Sequence, residues 1–429
     1  MRGAAWTVGG YGASQVLRLG SNLVLTRLLF PEAFGLMALV YAFTQGLQMF
    51  SDLGLGPAVI RDRRGDDPTF INTAWTVQVI RGFVLWGCSW LLAGFIAQLF
   101  GEPMLARLLP VVGFTAVISG FNATAIFTAK RKLRLGRLSV LELSSQVTAI
   151  SVMIAWALLS PSVWALVGGA LVGAFVRMVG SHVFLHGVRP AFELRRDAAQ
   201  ALLRFGKWIF LSSAVYFAAQ QGDRFFLARY VPIGVVGVYA IAVNIGQILQ
   251  NTASRLSGQV LYPALSNLGR QHPGRLASGY YRARRHLDVA LIGAGIVIVA
   301  GPPLIAFLYD DRYAAAGWML QLLGLRAAMA CVNVPAANCL VSQGHPHYAF
   351  LREAAKAGVM LVGLPAGWYF GGLHGLVWAA GLVEVPALVI LWYGMARLRL
   401  LRPRGELLGL VYLAAGILGG FLIRLAVTA

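Results

Sequence analysis

Six arginines lie inside stretches apolar enough to cross a bilayer: Arg18, Arg81, Arg177, Arg224, Arg255 and Arg326. A guanidinium stays charged and costs at least ~2.5 kcal/mol at mid-bilayer, so such residues face a wet cavity, pair with a buried acid, or snorkel. Arg18 and Arg326 are deepest, Arg177 is intermediate, Arg81 sits nearer one end of its span, and Arg255 is placed to snorkel. Acids at similar depth are fewer: Asp52, Asp223 and Glu384. Glu142 and Asp288 sit at span ends beside Arg137 and Arg284, where local ion pairs account for them. The surplus of cations points to an anionic ligand, and the planar guanidinium fork suits phosphate. Arg18, Arg177, Arg326 and Arg81 are therefore the candidates to bind it. The competing account pairs Arg18 with Asp52 or Glu384.

Amides share these spans. Gln45 and Gln48 lie on one helical face, as do Asn244, Gln247, Gln250 and Asn251. Gln45, Gln48, Asn244 and Gln247 are candidates to line a sugar path; the alternative is hydrogen bonding between helices. Glu384, two residues before Pro386, is the first candidate for ion coupling, with Asp223 and Asp52. No catalytic constellation, Gly-rich phosphate loop or zinc motif is present, so no cofactor and no metal are expected. His345 and His347 lack a third ligand, and Cys88, Cys331 and Cys339 lack metal spacing.

The elements that must position these groups are transmembrane helices. The 429 residues are 58% hydrophobic and 12% charged, with a mean hydropathy of +0.70. Long apolar runs exclude a β-barrel, whose strands alternate in polarity. Spans are expected at about 5–28, 34–56, 73–99, 111–129, 138–159, 164–185, 208–229, 235–258, 286–308, 317–342, 355–370, 376–396 and 405–427. Alternate loops, together with Arg2, hold 25 of the 36 Lys and Arg; the opposite loops hold Arg27, Arg107, Arg229, Arg312 and Arg424. The positive-inside rule then places the N-terminus in the cytoplasm. The net charge of +20 is thereby explained by topology and calls for no nucleic acid.

Sliding the chain by 202 residues aligns Trp6 with Trp208, Gly20 with Gly222, Arg27 with Arg229, Gly35 with Gly237 and Gln48 with Gln250. Both copies start on the same side, so the repeat is parallel. This gives an all-α polytopic membrane protein: two six-helix bundles around a central cavity, plus one extra C-terminal helix. The expected divisions are an N-terminal lobe at 1–186, an amphipathic linker at 187–207, a C-terminal lobe at 208–397 and the extra helix at 398–429.

The runs TRLLFPEAFGLMAL (Thr26 to Leu39), SDLGLGPAVIRD (Ser51 to Asp62) and DRFFLARYVPIGVVGVYAIA (Asp223 to Ala242) resemble bacterial polysaccharide flippases. These belong to the multidrug/oligosaccharidyl-lipid/polysaccharide exporter superfamily. The resemblance implies twelve core helices in two lobes. It also implies a cargo of undecaprenyl-pyrophosphate-linked oligosaccharide, moved from the cytoplasmic to the periplasmic leaflet of the bacterial inner membrane. The cationic residues above would then meet the pyrophosphate. Membrane lipids, H+ or Na+ as coupling ion, and polysaccharide polymerase machinery are the partners to expect. Two other readings remain open: a cation-coupled multidrug exporter of the same fold, and a membrane-embedded glycosyltransferase or polymerase. The arginine surplus counts against the first, and the short outer loops count against the second.

Overall fold

The computed structural model describes residues 2–51, 55, 56, 59, 64, 66–132, 135–185, 187, 188 and 190–428, with side chains outside 2–8, 197–212, 273 and 427–428. Among the described residues the secondary structure is helical, with no strand. The chain divides into two compact units, Met1–Ala214 and Val215–Ala429.

The first unit contains α1 (Arg2–Leu28), α2 (Pro31–Phe50), α3 (Pro68–Phe100), α4 (Met104–Gly120), α5 (Ala125–Arg131), α6 (Leu135–Leu159) and α7 (Val163–Val183). Local chemistry sets their ends. Pro31 and Pro68 open α2 and α3, where a missing N–H costs nothing. Asp67 accepts from Thr69 N at 3.3 Å, and Gly101, at φ 68°, closes α3 in the left-handed conformation. The fourth expected span, 111–129, is not one straight helix: α4 and α5 meet at a 62° bend. From Arg196 to Tyr230, α8 is one continuous helix, so it begins inside the stretch expected as a linker.

The second unit takes in the rest of α8, then α9 (Ile233–Leu256), α10 (Tyr262–Gln271), α11 (Leu276–Leu287), α12 (Val289–Leu308), α13 (Ala316–Ser342), α14 (His347–Gly358), α15 (Leu364–Gly381), α16 (Val385–Arg397) and α17 (Pro403–Thr428). Helix α13 is its hub, packing on α9, α12, α14, α15 and α16. The parallel repeat reappears in the helix ends. Helices α1 and α8 end at Leu28 and Tyr230, and α2 and α9 start at Pro31 and Ile233, the same offset of 202 residues both times.

Among the described residues, nine helical stretches are long and apolar enough to cross a membrane, and the bent α4–α5 pair is a tenth. One of the nine, His347–Arg397, is 51 residues long and folds back on itself. The reversal needs Gly372, at φ 54° and ψ −138°, a region open essentially to glycine. On either side Gly367 and Gly375 face each other, and a methyl at Gly367 would strike the Gly375 carbonyl. The expected spans 355–370 and 376–396 are the two legs of this hairpin. Helices α1 and α8 are long enough to cross but more polar.

The last helix packs by one face against its unit. Helix α17 lies against α12, and a methyl at Gly295 would stand 2.6 Å from the Leu413 carbonyl oxygen. A methyl at Gly416 would run into the carbonyl of Ile292. At the end of α11, Arg284 is 1% exposed and donates to Asp288 at 3.1 Å and to Glu406 of α17 at 2.6 Å. The Tyr281 hydroxyl donates to Glu406 at 2.8 Å. Substituting Gly416 with alanine should therefore lower thermal stability in detergent by about 1–3 kcal/mol, as overpacking does. Gly419→Ala, whose methyl would meet Ile296 at an ordinary 3.8 Å, should change it little.

Candidate functional site

The α4–α5 bend breaks a candidate membrane span, where irregular backbone is tolerated only if it is buried in protein or lines a cavity. Here side chains satisfy it. Gln78 Nε2 donates to the carbonyls of Gly120 at 2.8 Å, Asn122 at 3.2 Å and Ser119 at 3.3 Å. Ala123 N donates to Ser181 Oγ at 2.8 Å, and His182 Nε2 lies 2.8 Å from the Phe121 carbonyl.

This bend forms one wall of a cavity of about 290 Å³ inside the first unit, lined also by Gln48, Arg81, Lys130 and Arg177. Among the described residues, its lining holds three cations and no carboxylate. Arg81 Nε donates to Ser51 Oγ at 2.9 Å, and its Nη2 donates to the Gln48 carbonyl at 2.6 Å. It thus caps the C-terminal end of α2, where carbonyls attract a cation. Arg177 reaches Glu142 only at 3.6 Å, both side chains being substantially exposed. Its Nε is shielded from solvent without a hydrogen-bond partner. Glu142, expected to pair with Arg137, instead lies nearest to Arg177. Such a cavity can accept a compact multivalent anion, and its volume sits near the small end of ligand pockets, about 300–1,000 Å³.

The other sequence candidates fall elsewhere. Arg18 is exposed on α1, and no side-chain partner for it occurs among the described residues. Gln45 is exposed on α2, while Asn244 and Gln247 are half-buried on α9. Asp52 lies outside the described residues. In the second unit Arg326 is 6% exposed and its Nη1 donates to Asp223 Oδ2 at 3.0 Å; the Tyr239 hydroxyl donates to the same oxygen at 2.8 Å. Arg224 turns away and donates to Gln221 Oε1 at 2.8 Å. Arg326 is therefore held by a buried counter-ion, whereas the Arg177–Glu142 contact is longer and exposed.

Glu384 is fully buried. It lies 2.9 Å from Lys356 Nζ and accepts from Asn333 Nδ2 at 2.8 Å. Lys356 is also 3.3 Å from Glu353, which pairs with Arg352 at 2.8 Å. Arg352 and Lys356 count among the basic residues of the alternate loops, although the expected span 355–370 begins just before Lys356; the structure places both in α14, with Lys356 fully buried. The signal was present in the sequence. The eleventh expected span was only 16 residues long, and extending it back to His347 brings Arg352, Glu353 and Lys356 into a helix at i, i+1 and i+4. Gln78 and Lys130 were missed because only the bend brings them to the cavity.

The all-helical two-unit chain, with its 202-residue repeat and broken span, has the fold of the multidrug/oligosaccharidyl-lipid/polysaccharide superfamily. It aligns with the lipid II flippase MurJ in an inward closed conformation at a TM-score of 0.75 and 12% identity, covering 99% of this chain and 93% of that one. It aligns with an inward-facing multidrug resistance MATE transporter of that superfamily at 0.71 and 14% identity, over 90% of this chain and 94% of the other. Within that fold class, residues 24–317 match the family described as polysaccharide biosynthesis protein, and the chain belongs to that family. It is 21% identical over 404 residues to the lipopolysaccharide biosynthesis protein WzxC of Escherichia coli (strain K12), covering 92% of this chain and 80% of WzxC. It is 24% identical over 373 residues to the succinoglycan biosynthesis transport protein ExoT of Rhizobium meliloti (strain 1021), covering 84% and 74%.

Proposed function

We propose that this protein is a flippase, not an enzyme, moving undecaprenyl-pyrophosphate-linked oligosaccharide units from the cytoplasmic to the periplasmic leaflet of a bacterial inner membrane by alternating access. The observation that carries this reading is the cavity at the α4–α5 bend, whose described lining holds Arg81, Lys130 and Arg177 and no carboxylate. Arg81, Arg177 and Lys130 hold the pyrophosphate there, and Gln48 and Gln78 supply neutral amides. Arg18, exposed on α1, and Gln45, Asn244 and Gln247 serve the route of headgroup and sugar. The family, the similarity to the succinoglycan transport protein ExoT and the shared fold of the lipid II flippase MurJ support this reading. The N-terminus is cytoplasmic by the charge asymmetry of the loops.

The multidrug exporter reading requires a dominant carboxylate open to a cationic drug. Asp223 and Glu384 already have Arg326 and Lys356 as counter-ions, which disfavours it. If either acid couples transport to H+ or Na+, its pairing must break during the cycle.

The test is transbilayer movement of a short-chain lipid-pyrophosphate sugar in proteoliposomes, with wild type and Arg18→Ala. Wild type should move the lipid, and a folded Arg18→Ala protein should move it at least tenfold more slowly, as loss of a charged hydrogen bond predicts. Undiminished movement would remove Arg18 from the route and keep the function. No wild-type movement, with proton-linked exchange of an organic cation instead, would overturn the flippase reading.

A further inference from the structure

A second cavity, of about 320 Å³, lies on the other side of α5, lined by Asp66, Ile71, Thr128, Ala129, Lys132, Arg137, Leu185, Gly187 and Val188. The short helix separates the two cavities: Lys130 lines the one described above, and Thr128, Ala129 and Lys132 line this one. This cavity is at the end of the unit that carries the basic run Lys130, Arg131, Lys132. Its cations are not left to solvent. The carboxylate of Asp66 sits 3.0 Å from Lys132 Nζ and 3.4 Å from Arg131 Nε. Arg131 is itself oriented by donating its Nη1 to the Val59 carbonyl at 3.0 Å. One carboxylate thus gathers two cations at the mouth of a pocket that a further cation, Arg137, also lines.

We propose that this pocket is a second phosphate site, and that the Asp66 carboxylate occupies the anion position until a phosphate displaces it. Three features support this. The pair is easily broken, since both Asp66 and Lys132 are about half exposed, at 51% and 53%, and exposed pairs are weak. Phosphate carries more charge and more acceptor oxygens than a carboxylate, so it gains more from the same lysine and guanidinium donors. The pocket volume, about 320 Å³, is at the small end of ligand pockets and matches a headgroup. Asp66 is charged at neutral pH like any free carboxylate, and its hydrogen bond with Lys132 holds the carboxyl further below the usual carboxylate range. The ligand chemistry is a phosphate or pyrophosphate group, whether carried on the lipid-linked cargo, on an ordinary anionic lipid, or free. The site goes beyond the transport reading, and its binding stands or falls without it.

The experiment is titration of inorganic pyrophosphate into the full-length protein in phosphatidylcholine nanodiscs at constant ionic strength. Asp66→Asn removes the competing anion and should tighten binding about two- to fivefold, the range expected for an exposed ion pair. Lys132→Gln should weaken it about tenfold, and Asp66→Asn on the Lys132→Gln background should then have a smaller effect, since Asp66 competes there only for Arg131. The gain from Asp66→Asn should survive in an Arg81→Gln/Arg177→Gln protein, which separates this site from the transport cavity. An Asp66→Asn protein that binds no more tightly would overturn the proposal. So would a gain that is undiminished without Lys132, or one that vanishes with Arg81 and Arg177. Adding phosphatidylglycerol or a short-chain lipid-pyrophosphate sugar to the discs identifies the source: the one that competes in wild type but not in Lys132→Gln is the natural occupant, and competition by neither assigns the site to a free phosphate.

Discussion

Glu384→Gln should lower the stability of the second unit by about 3 kcal/mol, because it strands a fully buried ammonium. Lys356 and Glu384 are both inaccessible to solvent and 2.9 Å apart. Breaking such a pair by removing one partner costs about 3–5 kcal/mol, and the low end applies here because Glu353 remains 3.3 Å from the same ammonium. Replacing the whole pair with apolar residues of similar volume is often neutral or stabilising. Lys356→Met/Glu384→Leu should therefore regain most of the lost thermal stability in detergent, and a double variant as unstable as the single one would show that the pair is not the unit that matters. The same double variant tests coupling. If it is folded and still moves substrate, Glu384 is structural. If it is folded and inactive, the acid takes part in the cycle.

Arg177→Gln should reduce lipid-pyrophosphate transport by tenfold or more while leaving stability nearly unchanged. A hydrogen bond to a charged group contributes about 1.5–3 kcal/mol, which is roughly a ten- to hundredfold effect. Arg177 has only a 3.6 Å, substantially exposed contact with Glu142 to lose, and such contacts contribute little to folding. Arg81→Gln should reduce transport similarly but should also destabilise the fold, since Arg81 bonds Ser51 and the Gln48 carbonyl at the end of α2. The contrast separates a ligand-holding cation from a helix-capping one. Initial rates measured over a range of substrate concentration, beside thermal midpoints of the same preparations, give both readouts. An Arg177→Gln protein with wild-type kinetics would remove this cavity from the pathway.

Much of the fold was legible in the sequence because its determinants are local. Apolar runs of about 20 residues force helices, since no other open structure satisfies the backbone in hydrocarbon. The 202-residue offset read from residues such as Trp6 and Trp208 recurs in the ends of α1 and α8 and the starts of α2 and α9. The surplus of cations over acids was also legible, and with it the choice of an anionic ligand.

Which cation is available was decided only in three dimensions. Arg18, Arg81, Arg177 and Arg326 look alike in one dimension, as arginines in apolar runs. In the structure Arg326 is consumed by Asp223, 103 residues away, whereas Arg177 keeps a nitrogen without a partner. Lys356 sits at the very start of an expected span, and only the fold brings it to Glu384. The bend between α4 and α5 is set by Gln78, more than 40 residues upstream, and by Ser181 and His182 on α7. Burial of a charge depends on every helix packed around it, so composition and period determine that charges lie in the membrane, and tertiary packing determines which are neutralised and which remain to meet a ligand.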